Sequence, residues 1–378
     1  MEIYVVKPGD TVDSIAAGYG ADVWRIIYDN QLIYPYELAV GQALLIDVGE
    51  RNPYGSIFVS GYAYPFISPW VLQQTLPFLS YLPIFSYGFT EEGELIPPLL
   101  DEEWMIREAE RFGTLAVLTL TPFGPDGLFN NHLISAVVNS TAASDQLVGN
   151  LLRVMEEKGY RGIDIDFEYI LASDRDAFTA FVWRVAETMR AYGYHTSVAL
   201  APKTSPDQEG LLYEGKDYRG IGEAADFVLL MTYEWGYTFG PPMAVAPLNQ
   251  VRRVVEYALT EIPSRKIHLG IPNYGYDWPL PYERGVTRAV TIGNVQAVRI
   301  AIARGAVIQF DETAQSPFFN YVADDGTVHE VWFEDVRSLQ AKFGLITQYD
   351  LRGCGYWQIM QWFRANWLLL RDYFYIIK

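Results

Sequence analysis

Cysteine, histidine and basic residues are scarce in this chain, and each scarcity closes off a class of function. A single cysteine, Cys354, rules out an intrachain disulfide framework. The four histidines (His132, His195, His268 and His329) are scattered, without HxxxH or HExxH spacing and without cysteine companions, so no metal site is expected. Lysine and arginine number 28 against 46 aspartates and glutamates, and the net charge of −18 repels phosphate backbones, excluding a nucleic-acid partner. Apolar runs such as 227–231 and 367–370 are far shorter than the ~20 residues of a membrane-spanning helix, so no membrane span is expected. The opening Met1-Glu2-Ile3-Tyr4-Val5-Val6-Lys7 has an acid where a secretory leader is basic, and no long apolar core follows. A chain made without a signal peptide, and a monomer, are the expectations.

What is abundant is apolar and aromatic. Of 378 residues half are apolar, with 10 Trp, 27 Tyr and 20 Phe, enough to build one large core and a smaller one. The most informative run is Gly162-Ile163-Asp164-Ile165-Asp166-Phe167-Glu168-Tyr169. In an extended strand alternate side chains share a face. Asp164, Asp166 and Glu168 therefore line one side, and Ile163, Ile165 and Phe167 the other. The apolar side reads as packed against helices, which leaves the acids facing an enclosed space. Nearby like charges cannot all ionise cheaply, and such crowding is characteristic of proton-transfer sites. An edge strand with a wet acidic face is the bland alternative, and the apolar flanks argue against it.

Residues 1–48 read as a separate βααβ module. A β-prone run at 3–6 ends in the turn Lys7-Pro8-Gly9-Asp10, and Asp10 or Thr11 can cap a helix carrying Val12, Ile15 and Ala16. A second helical stretch, 22–29, and a strand, 43–46, complete it. This unit closely resembles the LysM domain, through Tyr4 to Thr11, Ile15-Ala16, Asn30 and Val40-Gly41-Gln42. The resemblance implies binding of N-acetylglucosamine-containing glycans by two loops, one holding Gly9, Asp10 and Thr11, the other, 32–38, holding Ile33 and Tyr34. Gly9 to Thr11 also serve as turn and cap on either reading.

A linker is expected at 49–56, from Gly49, Glu50, Arg51, Asn52, Pro53 and Gly55. Beyond it, short apolar strands alternate with amphipathic helical stretches such as 144–158 and 174–191. Strands are predicted at 57–62, 81–87, 115–120, 162–168, 195–200, 227–233, 267–272 and 355–359. Eight strands with intervening helices make residues 57–378 an α/β unit, a (β/α)₈ TIM barrel. Alternating aromatics around Asp324-Asp325-Gly326 predict a hairpin within a small β-rich insertion at about 280–335.

Catalytic residues in such barrels lie at the C-terminal ends of strands, so Glu168 should lie highest and Asp164 deepest. Gly162 to Glu168 resembles the signature of family 18 glycoside hydrolases, in which the last glutamate is the proton donor. Met231-Thr232-Tyr233 matches that family's tyrosine position, and Trp357 in Gly355-Tyr356-Trp357 its last-strand tryptophan, in the expected order. The resemblance implies substrate-assisted hydrolysis with retention and no metal or organic cofactor. Glu168 would donate to the glycosidic oxygen, Asp166 would hold the substrate's acetamido N–H, Asp164 would share a proton with Asp166, and Tyr233 would hydrogen-bond the acetamido oxygen. Arg161, Phe167 and Glu234 depart from the common pattern; Glu234 stands where chitinases usually have aspartate.

Further runs are similar to the bacterial spore-germination branch of the family, the cortical-fragment-lytic N-acetylglucosaminidases. They are 85–90, Thr232-Tyr233-Glu234-Trp235-Gly236, 270–278 and 310–313. That resemblance implies spore cortex peptidoglycan as substrate and a place in the spore's coat and cortex layers. It also implies sugar subsites lined by Trp235, Tyr274, Tyr276, Trp278 and Trp357, with Glu234 beside them. A chitin or chitooligosaccharide hydrolase, and a coat protein that binds glycans without cutting them, are the competing readings.

Overall fold

The computed structural model describes residues 1–49 and 51–378; Glu50 of the expected linker lies outside the described residues. At the N-terminus, strands Glu2–Val5 and Ala43–Ile46 pair antiparallel around helices Val12–Tyr19 and Val23–Asp29. Thr11 closes a reciprocal cap, accepting from the Ser14 N–H at 3.1 Å while Ser14 Oγ accepts from the Thr11 N–H at 3.0 Å. Asp22 caps the second helix. Val6, Val12, Ile15, Ile26, Leu44 and Ile46 form the small core between them.

Eight parallel strands then close on themselves: Gly55–Gly61, Tyr81–Phe89, Leu115–Leu120, Gly162–Ile165, His195–Leu200, Phe227–Leu230, Ile267–Pro272 and Gly353–Trp357. Ser60 opposite Tyr81 joins the first strand to the second and shuts the barrel. Helices such as Thr141–Lys158, Arg175–Ala191 and Leu248–Glu261 ring it. Arg175–Ala191 turns Phe178, Phe181, Val182, Val185 and Met189 inward at helical spacing. The fourth and sixth strands end at Ile165 and Leu230, short of the expected 168 and 233. Beyond these points the backbone leaves the ladder to aim side chains into the barrel mouth. The eighth strand starts at Gly353 rather than 355, because Gly353 can press against the first strand; a Cβ there would lie 1.8 Å from the Phe58 oxygen.

The N-terminal end of the barrel is plugged by rings. Tyr81 stacks on Phe58 (5.7 Å) and Phe227 (5.1 Å), His268 on Phe227 (4.4 Å) and His195 against Tyr81 (4.7 Å). Arg352 lies 3.9 Å over the Phe58 ring. Burial drops the His195 imidazole to about 4 and the His268 imidazole well below its ordinary range.

The insertion is larger than the predicted hairpin and begins sooner. It is a five-stranded antiparallel sheet of Gly275–Leu280, Val290–Ile292, Gln309–Asp311, Ser316–Val322 and Val328–Trp332, with a helix at Asn294–Arg304. The hairpin around Asp325-Gly326 is present, with Phe319 opposite Val331.

The N-terminal module is seated on the barrel rather than held away from it. Val40 accepts from the Ile308 N–H at 2.9 Å, Arg364 Nε meets Asp29 at 2.9 Å, and the Met1 amino group meets Asp372 at 3.1 Å. Leu45 joins the barrel core and Ala39 the insertion core. Gly41 makes this fit possible: its φ is +84°, and a Cβ would stand 1.8 Å from the Ile308 oxygen. Replacing Gly41 with Ala is expected to unseat the module and speed proteolysis of the segment joining it to the barrel by roughly tenfold. An unchanged digestion rate would show that this contact does not hold the two together.

Candidate active site

The acidic run delivers its carboxylates in order of depth. Asp164, still inside the fourth strand, is fully buried, Asp166 is 6% exposed, and Glu168 is half-buried at the mouth. The Asp166 N–H still reaches the Leu120 oxygen at 2.9 Å, which carries the alternation one step past the strand. On the opposite face Phe167 stacks on Phe181 at 6.0 Å and leans on Phe89 at 5.4 Å and Phe178 at 5.8 Å. Apolar packing on one side is thus what fixes the acids on the other.

Both oxygens of Asp164 are engaged by hydroxyls. Tyr62 donates to Oδ2 at 2.9 Å and Ser197 to Oδ1 at 2.6 Å. Burial pushes the Asp164 carboxyl up to about 6, against the pull of these two donors. Asp166 has a buried Oδ1 without a partner among the described residues. Burial raises its carboxyl furthest, and Glu168 and then Asp164 add to the effect. Glu168 is raised by burial as well, with the Lys216 cation opposing. Burial thus shifts all three carboxyls toward their protonated forms, the direction a general acid requires.

Tyr233 comes from just past the sixth strand. Tight turns set it there: the Tyr233 N–H donates to the Met231 oxygen at 2.9 Å, and Thr232 Oγ1 donates to the Gly270 oxygen at 2.7 Å. Its ring lies over Gly270, where a Cβ would sit 2.9 Å from the ring and 2.2 Å from the Leu230 oxygen. Burial, then the nearby Asp166, Glu168 and Asp164, keep the phenol protonated far above its ordinary range, so it stands near the acids as a hydrogen-bond donor. Trp357 ends the last strand within an aromatic box of Phe85 (5.1 Å), Tyr62 (5.7 Å) and Tyr64 (6.0 Å).

The expected sugar platforms need correction. Tyr274 and Tyr276 are 4% and 5% exposed and Trp278 is fully buried, because the insertion sheet covers them with Trp332 and Ala289. They are not exposed stacking surfaces. Tyr276 donates to Glu234 at 2.9 Å, and Tyr274 also donates to it. These two phenols hold a glutamate whose φ is +66°, a left-handed backbone uncommon for anything but glycine. Trp235 is half-buried against the barrel core. Tyr62, Ser197, Tyr64 and Lys216 were not legible as site residues. Ser197 alone had a signal, lying directly opposite Asp164 in the neighbouring strand.

In the N-terminal module Asp10 serves its turn, accepting from Tyr4 Oη and the Lys7 N–H at 2.7 Å each. Asp10 and Thr11 also line a groove of about 660 Å³ with Trp24, Tyr36 and Glu37. Ile33 and Tyr34, 56% and 83% exposed, border a separate cleft of about 220 Å³ against the helix Asn294–Arg304. The 35–38 part of the second loop thus shares the groove of Asp10 and Thr11, while Ile33 and Tyr34 border the other cleft.

Asp164 takes up a proton on folding, since its carboxyl titrates near 6 in the fold against an ordinary 3.8. It is neutral in both states at low pH and costs stability increasingly as pH rises through that window, by about 3 kcal/mol when fully ionised. Asp164→Asn is therefore expected to gain about 2–3 kcal/mol relative to the parent between about pH 4 and about pH 8 in denaturant titrations. A stability difference that does not vary with pH would contradict this account.

Known proteins resemble this chain in sequence and fold. The profile of glycosyl hydrolases family 18 matches residues 126–361, and that of the LysM domain residues 4–47. The chain is 36% identical to the cortical fragment-lytic enzyme of Bacillus subtilis (strain 168), over 100% of this chain and 99% of that one. The crystal structure of the Bacillus megaterium QM B1551 spore cortex-lytic enzyme SleL superposes with a TM-score of 0.93 at 34% identity, covering 100% of this chain and 98% of that one. A chitinase from Chromobacterium violaceum ATCC 12472 superposes less completely, with a TM-score of 0.77 at 25% identity over 84% of this chain and 98% of that one. Depth-ordered acids in a closed eight-stranded barrel and full-length likeness thus converge: the protein is a glycoside hydrolase belonging to glycosyl hydrolases family 18, with an N-terminal LysM domain.

Proposed function

We propose that this enzyme cleaves N-acetylglucosaminyl linkages in spore cortex peptidoglycan fragments during germination, with retention of configuration, and resides in the spore layers. The observation that carries the reading is the ordered trio Asp164, Asp166 and Glu168 with Tyr233 nearby. Glu168, protonated, donates to the glycosidic oxygen, and the substrate's own acetamido oxygen attacks the anomeric carbon. The product of that attack is a cyclic oxazolinium ion; Asp166 holds its N–H and offsets the positive charge, and Tyr233 aims the oxygen. Glu168 then takes a proton from water as it opens the ring. The raised carboxyl of Glu168 supports its role as proton donor.

Cortex is favoured over chitin because likeness to the cortical fragment-lytic enzyme runs the whole chain, whereas the chitinase covers only part of it. Glu234, strapped by Tyr274 and Tyr276 where chitinases usually carry aspartate, favours the same choice. The LysM domain supports attachment to the glycan, through the Asp10–Trp24–Tyr36 groove.

Mass analysis of products from defined cortex muropeptides and from chitooligosaccharides tests the substrate. Turnover confined to chitooligosaccharides would overturn it. Glu168→Gln is expected to lower kcat on muropeptides by roughly 10²–10⁴-fold while leaving binding nearly intact. Persisting turnover would mean that the acid lies elsewhere.

A further inference from the structure

Behind the catalytic acids lies a cation that nothing in the proposed reaction uses. Lys216 is completely buried, and its ammonium donates to the carbonyl oxygen of Phe167, the residue between Asp166 and Glu168. Among the described residues it makes no direct ion pair. A buried, unpaired ammonium is costly, and it persists only where its charge is compensated nearby. Burial lowers the Lys216 ammonium to about 8, and the two carboxylates flanking the carbonyl it grips, Asp166 and then Glu168, oppose that fall and favour its charged form.

The turn that brings Lys216 there is fitted closely. Gly215 presses on the segment after the acids, and a Cβ on it would lie 2.3 Å from the Ile170 oxygen. Lys203 Nζ donates to the Lys216 oxygen at 3.4 Å and to the Pro206 oxygen at 3.2 Å, tying the turn from behind. The Phe178 ring lies 5.5 Å from the ammonium. The turn after the fifth strand is thereby latched to the segment that carries Asp166 and Glu168.

The geometry points to Lys216 as a positioning residue for the acid pair: it fixes the Asp166–Glu168 backbone link and lets the buried pair keep one negative charge. This rests on the reaction proposed above. One ammonium and one negative charge on the Asp166–Glu168 pair sum to zero, the cheapest state of a site largely shut off from water. The other groups around the pair do not supply that cation. Asp164 lies beneath and Glu234 beside it as further acids, and Tyr62, Tyr64 and Tyr233 are neutral phenols whose ionisation the acids oppose. Removing the ammonium makes ionisation of Asp166 and of Glu168 dearer, so both limbs of the pH–rate profile must move to higher pH.

Lys216→Met, which keeps the length and apolar stem, is expected to fold and to shift both limbs upward by about one pH unit or more, with kcat at neutral pH down roughly tenfold or beyond and KM for soluble muropeptides changed less than about threefold. Lys216→Arg keeps the charge and is expected to leave the limbs in place. Gly215→Ala keeps every charge and displaces the latch, so it should lower kcat without the upward shift. A folded Lys216→Met enzyme with an unshifted profile overturns the inference, as does a shift shared by Lys216→Arg. Should Lys216→Met not fold, Lys216→Gln carries the same two outcomes. Loss of turnover in Glu168→Gln alongside an unmoved Lys216→Met profile would sink only the role of Lys216. A parent enzyme inactive on muropeptides would sink the reaction itself.

Discussion

Three carboxyl groups on one narrow wall cannot all be charged away from water, and the rest of the barrel mouth is arranged around that constraint. Two hydroxyls satisfy Asp164, a phenol that stays protonated lies near the trio, and a buried ammonium lies behind the outer two. Each device handles the same problem differently: hydrogen bonds for the deepest acid, charge balance for the next, and partial access to water for Glu168. The destabilisation is local and is offset by the large apolar packing between strands and helices.

That packing also explains why function and fold are so closely joined here. Ile163, Ile165 and Phe167 are core residues of the strand–helix layer, and their burial forces Asp164, Asp166 and Glu168 to the other side. A shift of one residue in register would exchange the two sets. The stack of Phe167 on Phe181 therefore belongs to the catalytic apparatus as much as to the core. Gly270 and Gly353 act similarly, their missing side chains making room for the Tyr233 ring and for closure of the last strand.

Much of this was legible in the sequence, and the boundary of legibility has a physical reason. Alternation over 162–168 revealed which residues share a face, because side-chain direction is local. The same alternation could not show that the ladder stops at Ile165, since hydrogen bonding depends on neighbouring strands. Tyr274, Tyr276 and Trp278 looked like open platforms in the chain, yet the five-stranded insertion buries them, a long-range effect no local pattern carries. Tyr62 and Lys216 escaped notice for the same reason: each meets the acids only after the barrel closes. The LysM unit was readable from caps and turns within 48 residues, whereas its seating on Ile308 and Arg364 was not.

The stacked rings at the far end of the barrel have a consequence for traffic. With Tyr81, Phe227, His268 and Arg352 filling that end, the barrel is a cup and not a tube. A glycan strand cannot thread through it and must lie across the rim, and whatever is cut must leave by the opening through which it arrived.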